Sequence, residues 1–331
     1  MTATITLANQ RTFLAERGIS VLDAALTSHL VLEHGCRTGR CGGCKAQVTA
    51  GESAVLREEV SLQPDEAAAG WILTCAREAV SDLALDIEDL GALATIGTKT
   101  LPCRIASLER LAPDVMKVTL RLPPNACFNF LAGQYIDITG PGGVKRSYSI
   151  ASDARQPGQI ELHVRAVEGG AMSRYWFHDA KPNDLLRFRG PLGTFFLRDV
   201  AGLHLVLLAT GTGIAPMLSM LSALPHLALA ERPASVSLYW GGRQPQDLYL
   251  ADVAQRAPGL RYVPVLSRGD ASWAGERGHV QQAFLRFAPN LATCAVYACG
   301  SQAMTDSARA TLVAAGLPAK RFHADAFVSS N

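Results

Sequence analysis

Residues 204–224 read HLVLLATGTGIAPMLSMLSAL, and the change of pattern inside that stretch decides the fold of the C-terminal third. HLVLLAT is a continuous apolar run, the composition of a strand buried on both faces of a parallel sheet. It leads into Gly211-Thr212-Gly213-Ile214-Ala215-Pro216, after which PMLSMLSAL has helical spacing. Strand, glycine-rich turn and helix form the context in which main-chain N–H groups meet a dinucleotide's diphosphate. The glycines let the backbone approach the phosphates, and Pro216 suits a first helical turn. Further alternation follows: SVSLYW (235–240), a helix around 245–255, RYVPVLS (261–267), CAVYACG (294–300) and QAMTDSARATLVAAG (302–316). This order predicts an open, parallel-sheet α/β domain over 199–331 that binds a dinucleotide.

Upstream, the polar stretch EDLGALATIGTKTLP (88–102) precedes a series of short segments. CRIASLERL (103–111), MKVTLRLP (116–123), GQYIDITG (133–140), RSYSIAS (146–152) and QIELHVRAV (159–167) alternate polar and apolar residues, with turn signals between them. They predict a small antiparallel β-barrel over 99–198. The fourth segment carries Arg146-Ser147-Tyr148-Ser149, and Gly169-Gly170-Ala171-Met172-Ser173 follows the fifth. A guanidinium offers a fork matched to phosphate oxygens. A tyrosine ring offers a flat apolar face with a polar tip. The glycine pair opens a helix, MSRYWFHD, whose first N–H groups can face phosphates.

In that order, between GQYIDI and GPLGTFF (190–196), R-x-Y-S and GG-x-x-S resemble the FAD site of the ferredoxin–NADP reductase superfamily. The resemblance implies that Arg146 pairs with the pyrophosphate, Tyr148 packs against the isoalloxazine and Ser149 hydrogen-bonds near flavin N5. FMN is the alternative flavin. It extends the cofactor contacts to Ser147, to His163, Val164 and Arg165, and to Gly169, Gly170, Ala171, Met172 and Ser173. On the nucleotide side it implies contacts from Thr210, Gly211, Thr212, Gly213, Ala215 and Pro216. Tyr239-Trp240-Gly241-Gly242-Arg243 and Asp247-Leu248-Tyr249 match a family strand and loop, with Gly242 and Arg243 as contacts.

Cys299-Gly300 resembles the Cys-Gly turn that brings a thiol near the nicotinamide, although the family commonly has proline where this chain has Ser301. Phe327, in FHADAFVSSN (322–331), falls where relatives place an aromatic residue at the flavin's open face, with Asp325 as a second member. Tyr148, Ser149, Cys299 and Phe327 are therefore the candidates for setting the geometry of hydride transfer. Ser267-Arg268 in PVLSRGD can form a 2′-phosphate site, yet similar segments occur in NADH-dependent relatives. NADH is expected, and NADPH stays open.

Eight cysteines without an export signal argue for metal or redox chemistry rather than a disulfide framework. Cys36, Cys41 and Cys44 lie in GCRTGRCGGCK (35–45), and Cys75 follows thirty residues later in WILTCARE (71–78). C-x4-C-x2-C with a distant fourth cysteine is the plant-type ferredoxin pattern for a 2Fe–2S cluster. A structural zinc site, the alternative, usually has paired C-x2-C arms. The glycines of the loop suit a chain wrapped tightly around an inorganic core. Cys103, Cys127 and Cys294 fall outside the pattern and read as small buried hydrophobes. TATITL (2–7), RTFLAE (11–16), KAQVTAG (45–51) and DLALDI (82–87) read as strands. Ser20 caps a helix carrying Leu22, Ala25, Leu26 and Leu30. Together they predict a β-grasp ferredoxin domain over 1–92.

Apolar residues make up 48% of the chain and charged residues 18%, which excludes a disordered protein. The net charge of +2 is too small to suggest nucleic acid or a membrane surface as partner. Residues 1–95 carry 7 Lys/Arg against 13 Asp/Glu and the remainder 24 against 16, an acidic N-terminal part on a basic body suited to complementary docking. MTATITLANQ has neither the basic nor the apolar region of a signal peptide, and no clean apolar stretch reaches the length of a membrane span. A soluble, cytoplasmic protein is expected.

The resemblance covers essentially the whole chain and is to the reductases serving ring-hydroxylating dioxygenases, soluble monooxygenases and CDP-6-deoxy-3,4-glucoseen reduction. KTLPCRI (99–105), RLPPNACFNFLAGQYIDI (121–138) and ADAF (324–327) look most like the last branch. It implies a multidomain α+β and α/β enzyme that passes electrons from NADH through FAD and the cluster to a partner. That partner is an oxygenase or hydroxylase component, or a pyridoxamine-dependent dehydratase. The rival reading is a non-catalytic Fe–S redox sensor or binding module, which would not need the Gly211–Pro216 turn or the R-x-Y-S strand.

Overall fold

The computed structural model describes residues 2–93, 96–287 and 290–327, so 328–331 of the C-terminal segment and 94–95 of the linker lie outside it. Two compact units result: residues 2–97 with 193–195 and 325–327, and residues 98–192 with 196–324.

In the first unit a five-stranded sheet has the order Thr12–Glu16, Thr2–Leu7, Leu83–Leu85, Lys45–Ala50, Trp71–Leu73. Thr2–Leu7 and Leu83–Leu85 run parallel and the other neighbours antiparallel. Ile5 and Leu7 alternate inward on the first strand and meet Val21, Leu22 and Ala25 of the helix Val21–Thr27. Each of the isoleucine, leucine and valine side chains contributes about 1.5–3 kcal/mol by leaving water. Ser20 caps the helix, its Oγ accepting from the Asp23 N–H at 3.1 Å. The helix is shorter than its apolar spacing suggests. His29 has φ +58°, which turns the chain, and Leu30 reaches the core from beyond the helix.

The second unit holds two sheets. An antiparallel six-stranded sheet has the order Lys145–Ser149, Tyr135–Thr139, Leu185–Leu192, Lys99–Ala112, Val115–Arg121, Gln159–Arg165. A bridge between Ile150 and Leu162 joins its first and last strands, closing a barrel around Ile105, Val118, Ile136 and Phe188. The other sheet has the order Glu276–Arg277, Arg261–Leu266, Ser235–Gly242, His204–Thr210, Cys294–Ser301, and then the strand that begins at Phe322. The pairings among its first five strands are parallel. The strand order reverses between His204–Thr210 and Cys294–Ser301, the position where open α/β sheets bind ligands at their carboxyl ends.

Two expectations are corrected. The helix around 245–255 is instead a pair of short 3-10 turns, Pro245–Asp247 and Val253–Gln255. The Asp247 carboxylate accepts from the N–H groups of Arg243 at 2.7 Å and Gln244 at 3.2 Å and curls the chain before a helix can extend. Cys103 and Cys294 are buried, but Cys127 is exposed, because it lies in the irregular segment ahead of Tyr135, where its carbonyl receives Lys99 Nζ at 2.7 Å. Among the described residues no helix is long and apolar enough to cross a membrane.

Candidate functional site

The cysteine loop of the first unit arranges its thiols in two pairs. Cys44 donates to Cys75 with the sulfurs 3.3 Å apart, and the Cys36 N–H donates to Cys41 Sγ at 3.2 Å. Thr74 ties together the two chain segments of the Cys44–Cys75 pair, its N–H and hydroxyl both donating to the Cys44 carbonyl. The Cys41 hydrogen bond draws the Cys36 thiol down to about 4, and Cys41, keeping the shared proton, is pushed up. In the same way the hydrogen bond from Cys44 lowers Cys75 while Cys44 rises. Such protons are what a metal displaces on binding thiolates.

Two thiol pairs suit the two irons of a 2Fe–2S cluster. The loop leaves no room for a side chain at two of its glycines, Gly35 and Gly39. A Cβ on Gly35 would lie 2.9 Å from Cys41 Sγ. Gly39 has φ +78°, and its Cβ would lie 2.2 Å from the Glu58 carbonyl. Thr194 adds a clasp, its Oγ accepting from the His34 N–H at 2.8 Å and donating to the His34 carbonyl at 2.7 Å. Asp325 also faces this loop. Its carboxyl is pushed up to about 7 by burial and by the negative charge of Cys36. Phe327 is exposed.

In the barrel, period-two alternation divides Arg146-Ser147-Tyr148-Ser149 between two faces. Tyr148, opposite Ile136, accepts a hydrogen bond from Trp176 Nε1 at 2.9 Å, and burial pushes its hydroxyl up to about 12. Arg146 shares that face, half-buried, and donates to the Lys145 carbonyl. Ser147 turns the other way and donates to Asp137 at 2.6 Å, while Ser149 is buried opposite Tyr135. Gly170 precedes the helical turn Ala171–Arg174, which continues as a wider turn, Tyr175–Asp179. Ser173 Oγ accepts from the Val167 N–H at 2.8 Å and pins the glycine loop. Gly169, Gly170, Ala171, Ser173, Arg110 and Arg174 line a cavity of about 1050 Å³. Cationic side chains beside the first-turn N–H groups, which no side chain caps among the described residues, suit the diphosphate of a flavin dinucleotide. Met172 and Val164 are buried in the barrel, and His163 directs its ring away to Glu161 and Tyr249.

At the carboxyl ends of the parallel strands, a cavity of about 380 Å³ brings together Arg165, Thr210, Gly211, Gly242, Arg243 and Ser267. Thr212, Gly213, Ala215, Pro216, Cys299 and Gly300 are buried behind it, and Arg268 is exposed beside it, its N–H donating to the Arg243 carbonyl. A Cβ on Gly213 would lie 2.1 Å from the Cys299 carbonyl, so the two turns meet backbone to backbone at the switch point. Arg165 comes from the barrel, with Nε 2.9 Å from Asp114 and Nη2 3.7 Å from Asp247. A Cβ on Gly211 would lie 2.5 Å from its Nη1. Burial works to raise the Asp247 carboxyl, but the N–H groups of Arg243 and Gln244 and the charges of Arg243 and Arg165 hold it below its ordinary value.

Residues 5–79 match the 2Fe-2S iron-sulfur cluster binding domain, 102–197 the oxidoreductase FAD-binding domain and 207–310 the oxidoreductase NAD-binding domain. The chain is 42% identical over 322 residues, 96% of each chain, to the CDP-6-deoxy-L-threo-D-glycero-4-hexulose-3-dehydrase reductase of Yersinia pestis. The chain belongs to the ferredoxin reductase-type family with an N-terminal 2Fe–2S domain.

Other members of this reductase family are similar over nearly the same length. Terephthalate 1,2-dioxygenase reductase component 2 of Comamonas is 33% identical, covering 94% of this chain and 93% of its own. An Amycolatopsis cytochrome P450 reductase structure superposes with a TM-score of 0.71 at 30% identity, covering 99% of both chains. The protein is thus an NAD(P)H-dependent iron–sulfur flavoprotein that takes electrons from NADH through FAD and a 2Fe–2S cluster to a partner protein.

Several residues of the reductase's sites carry no sequence signal. Gln281 is 3% exposed and lines the nucleotide cavity, its amide donating to Ser307 at 2.9 Å and its Oε1 buried without a hydrogen-bond partner among the described residues. Gln281 stands in no motif, and although Ser301 and Thr194 lie in quoted segments, only the fold shows what they meet. Asp247 and Tyr249 were legible as part of a family loop, but not the bonds they make.

Proposed function

We propose that this reductase serves a dehydrase acting on a CDP-linked 4-keto-6-deoxyhexose and works in the cytoplasm. The observation that carries the acceptor is the 42% identity over 96% of both chains to a reductase of that name, against 33% for a dioxygenase reductase at similar coverage. The cytoplasmic setting follows from eight cysteines, four of them grouped as thiol pairs that need a reducing compartment.

Cys36 with Cys41, and Cys44 with Cys75, hold the two irons of the cluster. Arg146 and the N–H groups after Gly170 hold the flavin diphosphate, and Tyr148 and Ser149 border the ring. Bound FAD takes a two-electron hydride and gives electrons up singly. Arg165 and Arg243 neutralise the phosphates of NADH, while Gly211 and Gly213 let the main chain come close. Cys299, behind the Gly211 turn, sets the depth of the nicotinamide end, and Phe327 is the aromatic residue that the family resemblance assigns to the flavin. Ser267 and Arg268 border the adenosine ribose. Asp247 disfavours a 2′-phosphate by charge, consistent with NADH.

Anaerobic stopped-flow mixing with NADH and with NADPH tests the reading. Bleaching of the flavin band by NADH, followed by the broad Fe–S bands, is expected, with NADPH much slower. An intact, cofactor-loaded protein that ignores both nucleotides would sink the reductase reading. Faster reoxidation by an aromatic-ring oxygenase than by the CDP-hexulose dehydrase would overturn the acceptor.

A further inference from the structure

Glu161, His163 and Arg165 leave the barrel strand Gln159–Arg165 on one face, being two residues apart. All three side chains are engaged away from the barrel core. Arg165 lies against Gly211 and Asp247. His163, its side chain 1% exposed, has Nε2 3.1 Å from Glu161 Oε1 and Nδ1 3.0 Å from the Tyr249 hydroxyl.

The proton positions follow from chemistry. The hydrogen bond from His163 holds the Glu161 carboxyl below its ordinary range, so it is ionised and can only accept, and Nε2 carries the proton. In the neutral imidazole Nδ1 is the acceptor, and Tyr249, whose hydroxyl is pushed well up by burial, donates to it. The Tyr249 ring packs edge-on against Trp240 with centroids 5.0 Å apart. The Trp240 indole N–H in turn donates to the Gly211 carbonyl at 3.0 Å. A continuous chain of contacts thus runs from the flavin barrel to the glycine turn.

We propose that Glu161, His163 and Tyr249 form a positioning relay that holds the Arg243–Tyr249 loop and the Gly211 turn at a fixed setting against the flavin barrel. The relay deepens the NADH–flavin reading above and rests on it. Its members touch no reacting atom. They set where the bound nucleotide lies, and hydride transfer is sensitive to displacements of about 1 Å.

The first test needs no turnover. In the cofactor-free full-length protein, Tyr249→Phe keeps the ring but removes the hydroxyl, and the peptide covering residues 241–249 should exchange its amide hydrogens several times faster than in the wild type. In the loaded enzyme, flavin reduction at saturating NADH should slow about tenfold, with the dissociation constant for NAD⁺ within about twofold of the wild type.

Glu161→Ala, at the relay's more exposed end, should act in the same direction, and Glu161→Gln should restore the wild-type rate because its amide oxygen still accepts from Nε2–H. That pair decides the matter if Tyr249→Phe folds poorly. Unchanged exchange and rate in Tyr249→Phe, or equal slowing in Glu161→Gln and Glu161→Ala, overturns the relay. A wild-type enzyme that NADH does not reduce would instead overturn the reductase reading, and the exchange comparison would still judge the relay.

Discussion

The cysteine loop and the nucleotide cavity both hold a charged group against main chain, but they gather their residues differently. Cys36, Cys41 and Cys44 come from one short loop, and only Cys75 is brought from elsewhere, the turn between the strands Trp71–Leu73 and Arg77–Ala79. The cavity takes Arg165 from the barrel, Gly211 from one strand end, Arg243 and Ser267 from two others, and Gln281 from a helix. In the loop, covalent spacing does most of the positioning. In the cavity, sheet register and packing do it. Damage to the loop should therefore be local and complete, and damage to the cavity partial and spread through the second unit.

The sharpest contrast comes from Cys75→Ser. It should abolish the broad Fe–S absorbance and the bound iron, and reduce electron delivery to any one-electron acceptor more than about a hundredfold. Flavin content and its bleaching by NADH should survive. Loss of flavin as well would show that the two regions are not separable.

Gly213→Ala is the counterpart at the switch point. A Cβ placed 2.1 Å from the Cys299 carbonyl forces two turns apart, at a cost of about 1–3 kcal/mol. Thermal unfolding should occur at lower temperature and NADH binding should weaken, with the cluster spectrum intact. An unchanged melting temperature would show that the backbone contact is slack.

Arg165→Ala assigns a side chain that the motifs placed with the flavin and the fold places beside the nucleotide turn. Losing charged hydrogen bonds of about 1.5–3 kcal/mol should raise the KM for NADH tenfold or more, with flavin content unchanged. Flavin loss without a KM change would return the residue to the flavin.

The smallest effect concerns acid stability. Glu161 is held below its ordinary value by His163, so this contact stabilises the fold above the unfolded carboxylate's pKa and is lost as pH falls through the lower folded value. Glu161→Gln should therefore lose about 1 kcal/mol less than the wild type between neutral pH and acid unfolding. Parallel acid-unfolding curves would show that the charge on Glu161 contributes nothing.

Much of this was legible before folding, where function depends on residues close in the chain. The three loop cysteines, the R-x-Y-S strand and the shift from apolar run to glycine turn to helix at 204–224 are local patterns, each set by chain geometry over a few residues. The helix around 245–255 failed for a local reason as well, since Asp247 caps the preceding amides instead of continuing a helical turn. Cys127 failed for a tertiary reason. An apolar neighbourhood in sequence, ACFNFLA, does not say which of its side chains turn outward.

The sequence by itself determined the family, the order of its iron–sulfur, FAD and NAD signatures along the chain, and the cofactor classes, because spacing and periodicity act through covalent geometry. The tertiary structure alone decided that the four thiols divide into pairs, that Cys299 is enclosed behind the Gly211 turn, that Arg165 crosses from the barrel to the nucleotide cavity, and that Gln281, Thr194 and Tyr249 find their partners. Apart from Cys36 with Cys41, five positions apart, those contacts join residues tens to more than a hundred positions apart. They come from strand order and side-chain packing, for which no short stretch of sequence carries a signal.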